Sequence, residues 1–327
     1  VADRIPEETI GVVLLNLGGP ERLEDVEPFL FNLFSDRKII RLSPFPFLQK
    51  FIAGKIAKSR APKSQESYRL IGGGSPLKKI TAEQGDALEK ALAGSGNFKV
   101  MMAMRYWQPF ARETLAELQK DTVRKIVALT LYPHYSVATT GSSLDDLREA
   151  AKDFSPDFEI AEIDAWPEQP DYISCLSEAI QKGLTAFSGG AVEVVYSAHS
   201  LPVKFIKEGD PYLDHIKKTI AAIEKITGKQ GHLCFQSRSG PVEWLTPSTP
   251  DMLEKLAGEG CENVLMVPIS FVSDHVETLY EIDIQYKEVA QGLGIELKRV
   301  ESLNTKPAFI AALKNLVLDS CTKHSFL

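Results

Sequence analysis

The sequence predicts an α/β protein of two similar halves, each a parallel sheet flanked by helices in the manner of a Rossmann-like domain. Three observations predict it. Short apolar runs alternate with longer amphipathic ones along the 327 residues, the pattern that lets helices cover both faces of a parallel sheet. The order of motifs repeats: Val12-Val13-Leu14-Leu15-Asn16-Leu17-Gly18-Gly19-Pro20 has the plan of Val194-Val195-Tyr196-Ser197-Ala198-His199-Ser200-Leu201-Pro202, and 126–136 resembles 264–274. The length suits two domains of ordinary size. The expected division is an N-terminal domain over 1–165 and a C-terminal domain over 166–327, with the last helix, 307–318, folding back on the first.

The elements follow in order. In the first half, apolar runs closed by Gly, Pro or polar clusters place strands at 11–17, 99–105, 126–131 and 158–163. Amphipathic stretches at 81–93, 109–120 and 143–152 read as the helices between them. In the second half the strands fall at 192–198, 232–236, 264–269 and 296–300, and the helices at 170–184, 211–227, 250–258 and 275–291. Several of these helices open on proline, which suits a first helical turn.

Composition excludes several classes. A formal net charge of -7 and a pI near 5.5 argue against a general nucleic-acid binder. Cys175, Cys234, Cys261 and Cys321 lie far apart with no CxxC pair, so neither a disulfide framework nor a zinc knuckle is expected. No run of about 18 apolar residues is present, so no spanning helix is expected. Val1-Ala2-Asp3-Arg4-Ile5-Pro6 lacks a signal-peptide core. The expected location is the cytoplasm, with peripheral contact at the inner membrane.

Ligands of parallel α/β sheets sit beyond the carboxyl ends of the strands. His199 follows one strand there; Asp274 and His275 follow another, with Glu277 and Glu281 four residues apart on the helix that opens next. A histidine with a small group of carboxylates suits a divalent metal, proton movement, or both. Asp274 also suits a helix cap, and an i,i+4 acid pair is often only a solvated face. Arg105, Tyr106 and Tyr132 close strands of the first half, and all these residues are expected to face a cleft between the domains. The glycine run Ile71-Gly72-Gly73-Gly74-Ser75-Pro76-Leu77-Lys78-Lys79 lacks Walker spacing; it reads as a turn offering N–H groups to an anion, or as a plain loop. Residues 42–52 are rich in aromatics and prolines, and Lys55, Lys58, Arg60 and Lys63 follow. They read either as a helix packed on the core or as an apolar lip with a basic rim, fit for a flat carboxylate-bearing ligand or a membrane surface.

With those residues in view, the chain resembles the ferrochelatase family. The blocks that carry the resemblance are Leu15-Asn16-Leu17-Gly18-Gly19-Pro20, 68–76, Arg105-Tyr106, Thr139-Thr140-Gly141-Ser142-Ser143, 197–203 and 273–283. The glycine blocks resemble the protoporphyrin-using branch. The resemblance implies a chelatase-type fold with a porphyrin in the cleft between the domains, and insertion of ferrous iron into protoporphyrin IX to form protohaem. It implies His199 and Glu277 as catalytic groups on opposite faces of the macrocycle, and His199, Glu277 and Glu281 as metal contacts. Asp274 and His275 would hold Glu277. Leu17, Arg60, Lys63, Tyr68, Ser75, Arg105, Tyr106 and Tyr132 would bind the porphyrin. Where the family often has a further acid, this chain has Gln285. Some members carry a [2Fe–2S] cluster; Val137 stands at the internal cysteine position and only Cys321 lies near the C-terminus, so no cluster and no other cofactor is expected, iron being a substrate. The implied partners are protoporphyrin IX and ferrous iron, with transient membrane contact through 42–52 and no nucleic acid. The rivals are a chelatase for coproporphyrin or for cobalt, a non-catalytic porphyrin or haem carrier, and a nucleotide-binding α/β protein, the last disfavoured by the missing GxGxxG and Walker spacing.

Overall fold

The computed structural model describes residues 8–327; the reading of Val1–Pro6 lies outside them. The chain forms two compact units, one of residues 8–132, 136–165 and 304–327, the other of 133–135 and 166–303.

The first unit is a parallel sheet of β1 (Ile10–Asn16), β2 (Phe98–Met104), β3 (Lys125–Thr130) and β4 (Glu159–Ile163), in the spatial order β2-β1-β3-β4. Every residue of β1 is buried, because helices cover both sheet faces, and the strand is accordingly a continuous apolar run. Gly11 stands where a Cβ would press on Val123 at 3.1 Å and Leu118 at 3.3 Å. The helices of this part are α1 (Val26–Ser35), α2 (Pro46–Leu70), α3 (Leu77–Leu92), α4 (Ala111–Lys120) and α5 (Ser142–Ala151). A short π-helical turn, Val137–Gly141, leads into α5.

The segment that the sequence left between helix and lip is resolved as both. Pro46 opens α2, whose buried side is a stripe of Gln49, Ala53, Ala57, Ala61 and Tyr68, while Phe45, Phe47 and Phe51 stay exposed. The alanines allow close approach of α1, which packs along α2. Gln49 is buried without cost because its amide donates to the carbonyls of Phe34 and Ile40 and its oxygen accepts from Leu42 N.

The second unit repeats the plan. It holds α6 (Pro170–Leu184), β5 (Glu193–His199), α7 (Val203–Lys207), α8 (Tyr212–Thr227), β6 (Gly231–Gln236), α9 (Thr249–Gly258), β7 (Asn263–Pro268), α10 (Lys287–Gly292) and β8 (Glu296–Arg299). Its parallel sheet runs β6-β5-β7-β8, the same permutation as the first. The long helix expected over 275–291 is instead π-helical over Glu277–Tyr286 and α-helical only in α10. The final helix, α11 (Pro307–Lys323), belongs to the first unit, where it packs on α3 and β4.

Candidate active site

In each sheet the first strand lies between its two successors, so the connections leave it in opposite directions and open a crevice at the carboxyl ends. In the second unit that crevice lies between β5 and β7. His199 is the last residue of β5, and the chain leaving β7 reaches Asp274, His275 and Glu277. The backbone of His199 is anchored: Tyr212 Oη donates to its carbonyl at 3.0 Å and also contacts Ser270 Oγ at 2.7 Å. Its Nδ1 lies 2.8 Å from Glu277 Oε2. Its Nε2 contacts no polar group among the described residues, and the side chain is 38% exposed. A neutral His199 therefore donates from Nδ1 to the carboxylate and presents the Nε2 lone pair outward.

This contact corrects one expectation. His199 and Glu277 stand side by side in direct contact here, 2.8 Å apart, rather than across the width of a macrocycle from each other.

Glu277 Oε2 also accepts from Ser237 Oγ at 2.7 Å and from Gln236 Nε2 at 3.4 Å. The Gln236 amide is oriented from behind, since Ser197 Oγ donates to its oxygen at 2.6 Å. Burial alone would raise the Glu277 pKa, but the charge and hydrogen bond of His199, the charge of His275 and the Ser237 hydroxyl together bring it down to about 2. Burial likewise pushes His199 down, and the charge of Glu277, its hydrogen bond and the charge of Glu281 outweigh this and hold it above 6.5.

Ser237 Oγ lies 2.7 Å from Glu281 Oε2 as well. A hydroxyl has one hydrogen, so it cannot donate to both carboxylates. The arrangement is satisfied when Ser237 donates to Glu277 and a protonated Glu281 donates to Ser237. The electrostatics agree: burial and the neighbouring Glu277 charge raise Glu281 to about 7 against the lowering by Ser237, His199 and Tyr286. Ser237 is held at a φ of 63°, uncommon for a residue with a side chain and costly unless the surroundings fix it.

His275 is buried, and its Nδ1 lies 3.1 Å from the Ser273 carbonyl, which can only accept. Nδ1 therefore carries the proton, and burial lowers the ring's pKa against the raising effect of Glu277. Its Nε2 is buried without a partner, 4.0 Å from Glu277 Oε1. Two acceptor atoms thus stand 4.0 Å apart with no hydrogen bond between them, a separation that a cation could bridge. Asp274 Oδ1 accepts from Thr278 Oγ1 at 3.1 Å and Ser302 Oγ at 2.7 Å, while the N-cap residue of the π-helical segment is Val276. Among the described residues no three His, Cys, Asp or Glu side chains form a closed metal cage.

The remaining predicted residues lie in the first unit. Leu17 and Tyr132 follow β1 and β3 at the corresponding crevice, and Tyr132 Oη contacts Ser143 Oγ at 3.4 Å. Tyr106 is only 1% exposed and donates its hydroxyl to Asp36 at 2.7 Å, so it offers that hydroxyl inward. Arg105 joins the same cluster, contacting Asp36 at 3.0 Å and Ser142 Oγ at 2.7 Å. Asp36 is the group around which these side chains converge. Arg60 and Lys63 are exposed on α2, and Tyr68 is buried. The glycine run caps α2: Gly73 N donates to Tyr68 O at 2.8 Å, and Ser75 N to Pro20 O at 2.7 Å. A Cβ on Gly74 would lie 2.1 Å from the Glu21 carbonyl oxygen, which requires glycine there.

A family profile, Ferrochelatase, matches residues 9–321. The chain belongs to the ferrochelatase family. It is 59% identical over 310 residues to a ferrochelatase of Desulfotalea psychrophila, covering 95% of this chain and 97% of that protein. It is 52% identical to a ferrochelatase of Geotalea uraniireducens, covering 96% of this chain and 98% of that one. Among solved structures it resembles SirB from Bacillus subtilis, determined with Fe3+, at a TM-score of 0.56 and 11% identity over 97% of this chain and 98% of that one, a likeness of fold alone.

In this member of the ferrochelatase family, the sequence pointed to His199, Asp274, His275, Glu277 and Glu281, and the structure brings them together. It did not point to Gln236, which ends β6, or to Ser237, which follows it, and both touch Glu277. The available signal was the polar Gln236-Ser237-Arg238-Ser239 run that begins at the end of a strand adjoining β5.

Proposed function

We propose that this ferrochelatase inserts ferrous iron into protoporphyrin IX to form protohaem, with His199 as the acceptor of pyrrole protons. The observation that carries this reading is the His199–Glu277 pair, in which the carboxylate binds Nδ1 and leaves Nε2 free. A carboxylate in that position fixes the tautomer and stabilises the imidazolium once a proton arrives, which makes the ring a stronger base. Glu277, ionised down to about pH 2, keeps that charge through the working range. Its Oε1 and the unpartnered Nε2 of His275 form an entry pair for Fe²⁺. A site that must hand its metal on needs no closed cage. Glu281, titrating near 7, takes up protons leaving the site through the Ser237 hydroxyl, which stands between it and Glu277. Inserting the metal into a nearly planar ring also requires bending it, and wall packing supplies that distortion.

Arg60 and Lys63 suit the porphyrin carboxylates as exposed cations on one helix, with Ser75 and Tyr68 at its end, and Leu17 and Tyr132 suit the ring. The roles of Arg105 and Tyr106 are better read as shaping that wall through Asp36. Phe45, Phe47 and Phe51, exposed by 58%, 77% and 62%, next to Lys55 and Lys58, support reversible contact with a bilayer, the phase in which an apolar porphyrin dissolves. No helix among the described residues is long and apolar enough to cross a membrane. We read the protein as a cytoplasmic enzyme that visits the inner membrane, without an iron–sulfur cluster: Cys175, Cys234 and Cys321 are buried and sit on different elements.

The test is anaerobic turnover of Fe²⁺ with protoporphyrin IX and, separately, coproporphyrin, on protein assayed for acid-labile sulfide. Preferred turnover of protoporphyrin without sulfide is expected. Preference for coproporphyrin, or porphyrin binding without insertion, overturns the substrate or the activity respectively.

A further inference from the structure

We infer that Arg299 is a positioning residue for iron insertion: its guanidinium fastens both ends of the segment that carries Glu277 and Glu281. The inference rests on Glu277 acting in the site.

Arg299 ends β8 and is registered against Met266 of β7, so its backbone is part of the sheet. Its side chain is 11% exposed. Nε and Nη2 bind the two oxygens of Asp283 at 2.8 Å each, a bidentate fork. Nη1 binds Asp274 Oδ1 at 3.1 Å and Ser302 Oγ at 3.2 Å, and Ser302 in turn donates to Asp274 at 2.7 Å. Asp274 lies three residues before Glu277 and Asp283 lies within the π-helical stretch, with Glu277 and Glu281 between them. One rigid cation thus ties two points of a wound segment to the sheet.

The segment needs such a tie. A π-helical run of ten residues is rare, because its wide winding is not favoured by local interactions. Its shape must come from outside contacts, and Arg299 supplies charged ones on both sides of Glu277. Lysine cannot replace it, since an ammonium is a point donor and cannot hold Asp283 by both oxygens while reaching Asp274. The consequence falls on placement of Glu277 against His199, and a carboxylate moved by an ångström no longer holds the Nδ1 hydrogen bond.

The test uses purified Arg299→Lys, Asp283→Asn and the double variant, in anaerobic steady-state assays with Fe²⁺ and protoporphyrin, beside Glu277→Gln and the exposed control Arg148→Ala. Arg299→Lys is expected to lower kcat about 10- to 100-fold, the scale on which misplacement acts. KM for porphyrin should stay within about twofold, because ground-state binding is untouched. Asp283→Asn should behave alike and the double variant no worse than the poorer single, as for two parts of one clamp. Arg148→Ala should match the parent. The inference is overturned if Arg299→Lys keeps parental kcat, or if KM rises in step with any loss. Should Arg299→Lys fail to fold, parental kcat in Asp283→Asn overturns it equally. An active Glu277→Gln would instead overturn the reading of the site on which it rests.

Discussion

At the scale of single residues, the site is a proton ledger read from hydrogen-bond geometry. His199 must be neutral to accept a proton, and its pKa lies above 6.5 because Glu277 outweighs the effect of burial. The acid limb of kcat/KM is therefore expected above pH 6.5, with activity lost as pH falls through it. Glu277→Gln removes the charge that raises His199 while burial remains, so any residual activity should show that limb at lower pH. His199→Ala should cost about 10²- to 10⁴-fold in kcat and leave porphyrin binding, followed by fluorescence, in place. A limb that stays put in Glu277→Gln would show that another group is the base. His199 and Glu277 were legible in the sequence because each follows an apolar strand, where parallel sheets place ligands. The roles of Ser237 and the proton on Glu281 were not, because they depend on one hydroxyl standing 2.7 Å from two carboxylates that are 4 residues apart on a π-helical turn.

At the scale of elements, legibility followed the source of each element's stability. The strands were readable since burial on both faces favours unbroken apolar runs, and β1, β5 and β7 carry them as Val12–Leu15, Val194–Tyr196 and Val264–Val267. The π-helical segment was not, since its winding is imposed by contacts far along the chain. The bounds of α2 were also missed: its buried stripe is Gln49, Ala53, Ala57 and Ala61, small or polar residues that leave no apolar signature. What α2 does show is an apolar end left outside. Phe47 is 77% exposed and Phe45 58% exposed, with ring centroids 5.8 Å apart. Little packing is lost when they are replaced, so Phe45→Ser with Phe47→Ser should change folding stability by no more than about 0.5 kcal/mol per site. Each phenylalanine inserted into a bilayer is worth roughly 1.5–3 kcal/mol, so the same variant should lose co-sedimentation with liposomes and show a higher KM for protoporphyrin. Undiminished liposome binding would leave the lip as surface only.

At the scale of the whole molecule, the chain's order and its folding units differ. The first unit is closed by α11, which arrives after the entire second unit has been threaded. The repeat of strand–helix units suggested two halves, and the two sheets with one permutation are that repeat. That the last helix serves the first sheet follows from what the sheet lacks: α3 presents Leu88 and Leu92 and needs a cover, and α11 brings Phe309, Leu313 and Val317, all buried. Gln84 Nε2 of α3 ties the entry of that helix by donating to the Asn304 carbonyl at 2.8 Å. Leu313→Ala leaves a cavity in this layer and should cost about 2–5 kcal/mol in denaturant unfolding. A chain ending at Leu303 removes the layer altogether. It should bind an apolar fluorescent dye and lose iron insertion although His199, Ser237 and Glu277 are all retained. If the shortened chain unfolds with the parent's midpoint and turns over normally, α11 is an appendage and the first sheet is sufficient without it.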